Sequence, residues 1–220
     1  MWYSGCGGGY YEIITVEEVK DNLYAILNSK VKDANGKFIV FVNGNLEFND
    51  SGWLTDLVGF ARRDDIGVVG GKILDESGRV VFAGRVVNSY GVIDLNVGLD
   101  SSTYGYFAKE CHIQNMSSVA LSLMIVSKEK FDKVDGFNKE YKYLSDVDLN
   151  LKLLDAGYLN VYNPYVKVTN FDVILNDDEA VNEEGKNIVS ARNIVSDKYF
   201  NINFNQEKNN YEIRKDKVSL

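Results

Sequence analysis

The residue pattern predicts an α/β domain built on a mostly parallel central sheet flanked by helices. Two continuous apolar runs, residues 11–16 (YEIITV) and 37–42 (KFIVFV), have the character of strands covered on both faces. Between them, residues 19–31 carry Val19, Leu23, Ile26 and Leu27 on one helical stripe. The same alternation continues down the chain, which is the signature of helices packed on both faces of a sheet. The first unit reads as a strand–helix–strand crossover, with Ala34-Asn35-Gly36 turning into the second strand.

The later elements follow in order. Residues 53–63 (WLTDLVGFARR) read as a helix with Ser51 placed to cap it. Residues 66–74 read as a strand, 75–78 as a turn, and 79–87 (RVVFAGRVV) as a further strand. The stretch 88–109 is rich in Gly, Ser and Tyr without a period and reads as a long surface loop. Residues 118–126 (SVALSLMIV) form another buried-type strand. The clearest helix is 147–156 (VDLNLKLLDA), stopped by Gly157. A last strand at 160–162 ends at Pro164, the only proline. Beyond Phe171 the chain turns acidic, then helical around 187–200. It finishes in a polar, loosely ordered tail, 201–220.

Composition sets the exclusions. A chain of 220 residues fits one domain. A net charge of −8 argues against nucleic acid or an anionic membrane surface as the main partner. No apolar stretch is long enough to span a bilayer and no secretory signal opens the chain, so a cytoplasmic location is expected. Two cysteines, Cys6 and Cys111, make neither a disulfide scaffold nor a Cys-based zinc site. His112 is the only histidine, which excludes a site of several imidazoles.

Two places could carry chemistry. In parallel sheets, ligands bind beyond the carboxyl ends of the strands, where Asn43, Gly44, Asn45 and Glu47 follow a buried run. Carboxylates there would hold a divalent cation against a diphosphate, but here only Glu47 is charged. Asn-Gly is equally the mark of a turn. The second place is Ser145-Asp146-Val147-Asp148, two carboxylates at a helix start. They suit a general base at the positive end of the helix dipole, and they equally suit a capping box with Ser145 as its cap.

In series, these stretches resemble the family 2 glycosyltransferases, inverting enzymes of GT-A fold that use nucleotide-sugar donors. The resemblance runs from about Tyr11 to Phe171. It rests on 34–43 (ANGKFIVFVN), 67–74 (GVVGGKIL) with Asp75, Gly78 and Ala83-Gly84, Asp135-Gly136-Phe137-Asn138, 144–149 (LSDVDL), Ala156-Gly157-Tyr158 and Pro164. It implies Asp146 as catalytic base and Glu17 as the contact to the nucleotide base. Asn43, Gly44 and Asn45 stand in the Asp-x-Asp-like motif, with Asn45 and Glu47 as the remaining candidates for a metal. Ser145 and Asp148 fall on the acceptor side.

The resemblance also implies a nucleotide-sugar donor with Mn²⁺ or Mg²⁺ and a glycan or protein acceptor. The departures are specific. Asn45 replaces the carboxylate expected to bind metal, Asn170 the usual histidine, and Leu121 a small residue before Ser122. The family's first strand and helix have no counterpart, so a partner domain supplying them is expected. Residues 1–171 correspond to the transferase domain and 172–220 to an acidic, helical extension with a polar tail. An amide is a poor ligand beside a diphosphate, so an active enzyme needs another cation. Lys167, Lys109, Arg62 and Arg63 are the candidates. Loss of catalysis, leaving a binding or scaffolding module, is the competing expectation.

Overall fold

The computed structural model describes residues 11–17, 23–171 and 178–214. Helix α1 (Leu23–Asp33) leads through a turn into β1 (Phe38–Val42), followed by β2 (Leu46–Phe48), α2 (Trp53–Ala61) and β3 (Ile66–Leu74). Three short strands come next, β4 (Val80–Phe82), β5 (Arg85–Asn88) and β6 (Gly91–Asp94). A 3-10 turn (Tyr106–Cys111), β7 (Gln114–Asn115), β8 (Leu123–Ser127) and α3 (Lys128–Lys133) lead to α4 (Ser145–Asp155), β9 (Leu159–Asn170) and α5 (Asp178–Ala191).

The α/β class is as the pattern predicts, a central sheet with helices against it. Its strand order is β1-β8-β3-β9-β2, with β4 added to β3 and β7 to β9. β3 and β9 pair in parallel. β8 runs antiparallel to both β1 and β3, so β1, β3 and β9 all point the same way. Short β2 returns antiparallel along β9. The ends of β1 and β9 are thereby brought to one edge of the sheet.

Packing explains the middle of the sheet. Every residue of β3 is buried, and its glycines admit neighbours that a side chain would exclude. A Cβ on Gly71 would lie 2.6 Å from Leu123 and 2.7 Å from the Val166 carbonyl, inside any real contact. Val68, Val69, Leu123–Val126 and Val161 close the main core with Leu57 of α2, and Leu149 and Leu153 of α4. Each such side chain contributes roughly 1.5–3 kcal/mol through burial.

Several expectations are corrected. Residues 11–16 form no strand, and Ile13 is 70% exposed. β-branched residues favour a paired, half-buried surface rather than an extended backbone as such, and β1 takes β8 as its hydrogen-bonded neighbour instead. Val19 lies outside the described residues. The strand expected to stop at Pro164 runs on to Asn170 as β9. Its register against β3 jumps from Gly71↔Asn163 to Lys72↔Lys167, a bulge that absorbs the proline's missing N–H.

The run 79–87 is broken into β4 and β5 at Gly84, where φ is +93°. The stretch 88–109 holds the β5–β6 hairpin rather than only loop. The loop after it is pinned by a buried ion pair, Lys72 Nζ to Glu110 at 2.9 Å. The polar tail is packed as far as Arg214: Phe200 and Tyr211 are buried against Leu74, Val80 and Tyr162, with Phe204 beside them. α5 covers α4 through Ile188 and Val189 against Val147 and Leu151.

Candidate functional site

Asp146 lies in the first turn of α4, where a carboxylate is favoured by the unpaired N–H groups of the helix start, and it is only 3% exposed. Its Oδ2 accepts from Arg85 Nη1 at 2.8 Å and from the Leu121 N–H at 3.0 Å. Its Oδ1 accepts from the Val147 N–H at 2.9 Å. Arg85 opens β5, and its Nε donates to Asp94 on β6, so one guanidinium joins two carboxylates. Burial alone would push that guanidinium down, but Asp94 and Asp146 outweigh it and hold it above its ordinary value.

The chain two residues before Leu121 is tied to α4 as well. The Asn150 amide accepts from the Val119 N–H at 3.0 Å and donates to the Asp146 carbonyl at 2.6 Å. From α1, the Tyr24 hydroxyl donates to the Tyr143 carbonyl at 2.8 Å. Burial, and then the Asp146 charge, push that phenol well above its usual range.

The Asn43 corner adjoins the other side of the same turn. The Asn43 N–H donates to the Ser122 carbonyl at 2.9 Å, one residue from the N–H that holds Asp146. Asn43 Oδ1 accepts from the Asn45 N–H at 3.2 Å, an Asx turn at the end of β1. The Phe171 N–H donates to the Asn45 carbonyl at 3.3 Å, and Leu46 faces Asn170 in the β2–β9 ladder. Asn45 and Asn170 therefore stand together at the ends of β1 and β9, both as neutral amides.

This donor set does not fit a divalent cation. Amide oxygens bring no charge, Glu47 is exposed on β2, and no group of three or more His, Cys, Asp or Glu converges among the described residues.

The remaining expected residues are placed as follows. Glu17 is exposed at the end of segment 11–17, which Glu12 ties to the Asn35–Gly36 turn. Ser145 is buried and does not cap α4, since its Oγ donates to the Asn138 carbonyl at 2.7 Å. Asp148 is ion-paired with Lys152 at 3.0 Å and with Arg192, the residue following α5, at 2.8 Å. Lys167, Arg62 and Arg63 are exposed, Arg63 pairs with Asp65, and Lys109 lies over the Tyr211 ring. The cation that does meet Asp146 is Arg85, which sequence reasoning missed. Its signal was a lone charge inside the apolar run RVVFAGRVV.

No family model matches the chain. It is 30% identical over 171 residues to the uncharacterized protein y4gI of Sinorhizobium fredii, covering 76% of this chain and 19% of that protein. It is 34% identical over 142 residues to the O-antigen biosynthesis protein RfbC of Myxococcus xanthus, covering 62% of this chain and 11% of that one. The chain thus spans under a fifth of the length of either relative. Among solved structures it resembles GalNAc-T7, determined with UDP, GalNAc and Mn²⁺, at a TM-score of 0.54 and 13% identity over 72% of this chain and 32% of that one.

The chain has the GT-A glycosyltransferase fold. That likeness covers the arrangement of sheet and helices, whereas the side chains at the sheet's edge are this protein's own. The carboxylate carried by α4 is present there, and the positions at the ends of β1 and β9 are amides. No helix of the described residues is long and apolar enough to cross a membrane.

Proposed function

We propose that the chain is a nucleotide-sugar-dependent glycosyltransferase domain of inverting type, working in glycan biosynthesis as one part of a longer cytoplasmic protein, with residues 1–171 as its transferase body. The observation that carries this reading is the Leu121-Ser122 turn, which touches Asp146 with one residue and Asn43 with the next. Asp146 is the base and the Asn43 corner faces the donor, and the turn supports this by bringing the two close together. In this reading Asp146 Oδ1, whose one partner among the described residues is the Val147 N–H, takes the proton of an acceptor hydroxyl. The hydroxyl oxygen bonds to the anomeric carbon as the bond to the diphosphate breaks, and the diphosphate leaves with the electron pair.

A second reading, a catalytically silent glycan- or partner-binding module, is favoured by one specific observation. Asp146 is almost fully buried, and Oδ2 is filled by Arg85 and Leu121. The two readings separate in titration calorimetry with UDP-, GDP- and dTDP-sugars, with and without Mn²⁺, beside an assay of nucleoside diphosphate release. The transferase reading expects metal-independent donor binding and a release that Asp146→Asn abolishes while binding persists. Absence of binding to every donor overturns it.

A further inference from the structure

Helix α5 lies outside the stretch on which the family resemblance rests, yet it touches both supports of the Asp94–Arg85–Asp146 chain. The Glu184 carboxylate accepts three successive backbone N–H groups on the approach to α4: Lys142 at 2.8 Å, Tyr143 at 2.9 Å and Leu144 at 2.6 Å. α4 has no side-chain cap of its own, with Leu144 at the N-cap position, so Glu184 does from another helix what a capping box does locally. The adjoining residue, Gly185, sits mid-helix with ordinary helical backbone, where glycine is less favourable than alanine. It faces two elements closely: a Cβ there would lie a tight 3.3 Å from the Val92 side chain on β6 and in contact, at 3.4 Å, with the Leu144 side chain. β6 carries Asp94, and Leu144 precedes Ser145-Asp146. Just past the far end of α5, Arg192 holds Asp148 and Asp155 of α4.

We infer that Glu184 and Gly185 are positioning residues: together they set the spacing between β6 and the start of α4, and so the place of Asp146 against Arg85 and the Leu121 N–H. This rests on the transferase reading only for its effect on turnover; the geometric role stands apart from it. Asp146 is faced by Arg85 from β5 and Tyr24 from α1, with Asp94 of β6 behind Arg85 and Glu184 of α5 behind the 142–144 segment. α5 is the element that reaches two of these supports at once.

The test is site-resolved amide hydrogen exchange on the full chain carrying Glu184→Gln or Gly185→Ala. Glu184→Gln replaces one carboxylate oxygen by an NH₂ that cannot accept, and exchange at Lys142–Leu144 is expected to rise about tenfold, the scale of one lost hydrogen bond. The deciding signal is the Leu121 amide, which touches Asp146 and not α5. It is expected to change exchange rate in both variants while the β8 amides at Ile125 and Val126 keep theirs. Gly185→Ala gains helix propensity while its Cβ requires the Val92 side chain to give by a few tenths of an ångström, so it perturbs the spacing by a route independent of the Glu184 hydrogen bonds. In the release assay, both variants are expected to lower kcat with the donor KM unchanged. An unaltered Leu121 amide in both variants overturns the positioning role, whether or not the wild type turns over. A wild type that binds no donor overturns the transferase reading and leaves the Leu121 result to decide the role of α5.

Discussion

Arg85 Nη1 stands 2.8 Å from Asp146 Oδ2, between side chains only 14% and 5% exposed. The pair joins the start of β5 to the start of α4, and Asp94 on β6 holds the guanidinium from its other edge. One arginine therefore compensates two carboxylates, which its guanidinium bridges.

Removing that arginine should be costly. Arg85→Met leaves Asp146 buried without its cation, and breaking a buried ion pair from one side destabilises by about 3–5 kcal/mol. Urea denaturation should show that loss, with Arg85→Lys recovering part of it because an ammonium supplies the charge without the two-sided fork. Equal stability of Arg85→Met and wild type would remove the ion pair from the site's support.

The amide corner predicts a gain of function. Asn45 and Asn170 stand together at the ends of β1 and β9, so Asn45→Asp with Asn170→His places a carboxylate and an imidazole where neutral amides now lie. Mn²⁺ titration followed by electron paramagnetic resonance should show at least about tenfold tighter binding in the double variant, since hard cations select charged oxygen donors. Identical Mn²⁺ binding would show that the two positions do not converge on one ion.

Gly71 tests the packing beneath the site. Gly71→Ala drives a Cβ to 2.6 Å from Leu123 and 2.7 Å from the Val166 carbonyl, where backbone cannot yield as a flexible side-chain tip can. Overpacking of this kind costs about 1–3 kcal/mol. Thermal unfolding should show a lowered Tm, whereas Gly59→Ala on α2, with open space around its Cβ, should not lower it.

Local physics made much of this protein readable from its residues. Leu149, Leu153 and Gly157 marked α4 and its end, the apolar runs marked β1, β3 and β8, and Asp146 stood out as an acid opening a helix. Asn43-Gly44-Asn45 announced both a turn and the lack of a metal-binding charge. These are properties of short windows: periodicity, capping, turn chemistry and charge.

What the residues could not disclose depended on contacts between distant parts of the chain. Segment 11–16 has strand propensity but takes no place in the sheet, and pairing is a property of two segments rather than one. Pro164 stops a ladder only where its missing N–H is needed, and a bulge opposite β3 removes that need. The tail, polar on average, packs because Phe200, Phe204 and Tyr211 find Tyr106 and Tyr162. Glu184 and Arg192 look like ordinary surface charges in one dimension, and Arg85, though set in an apolar run, does not name its partner there. The fold brings them onto α4 and its approach, because burying a carboxylate or the bare start of a helix requires partners wherever the chain can supply them.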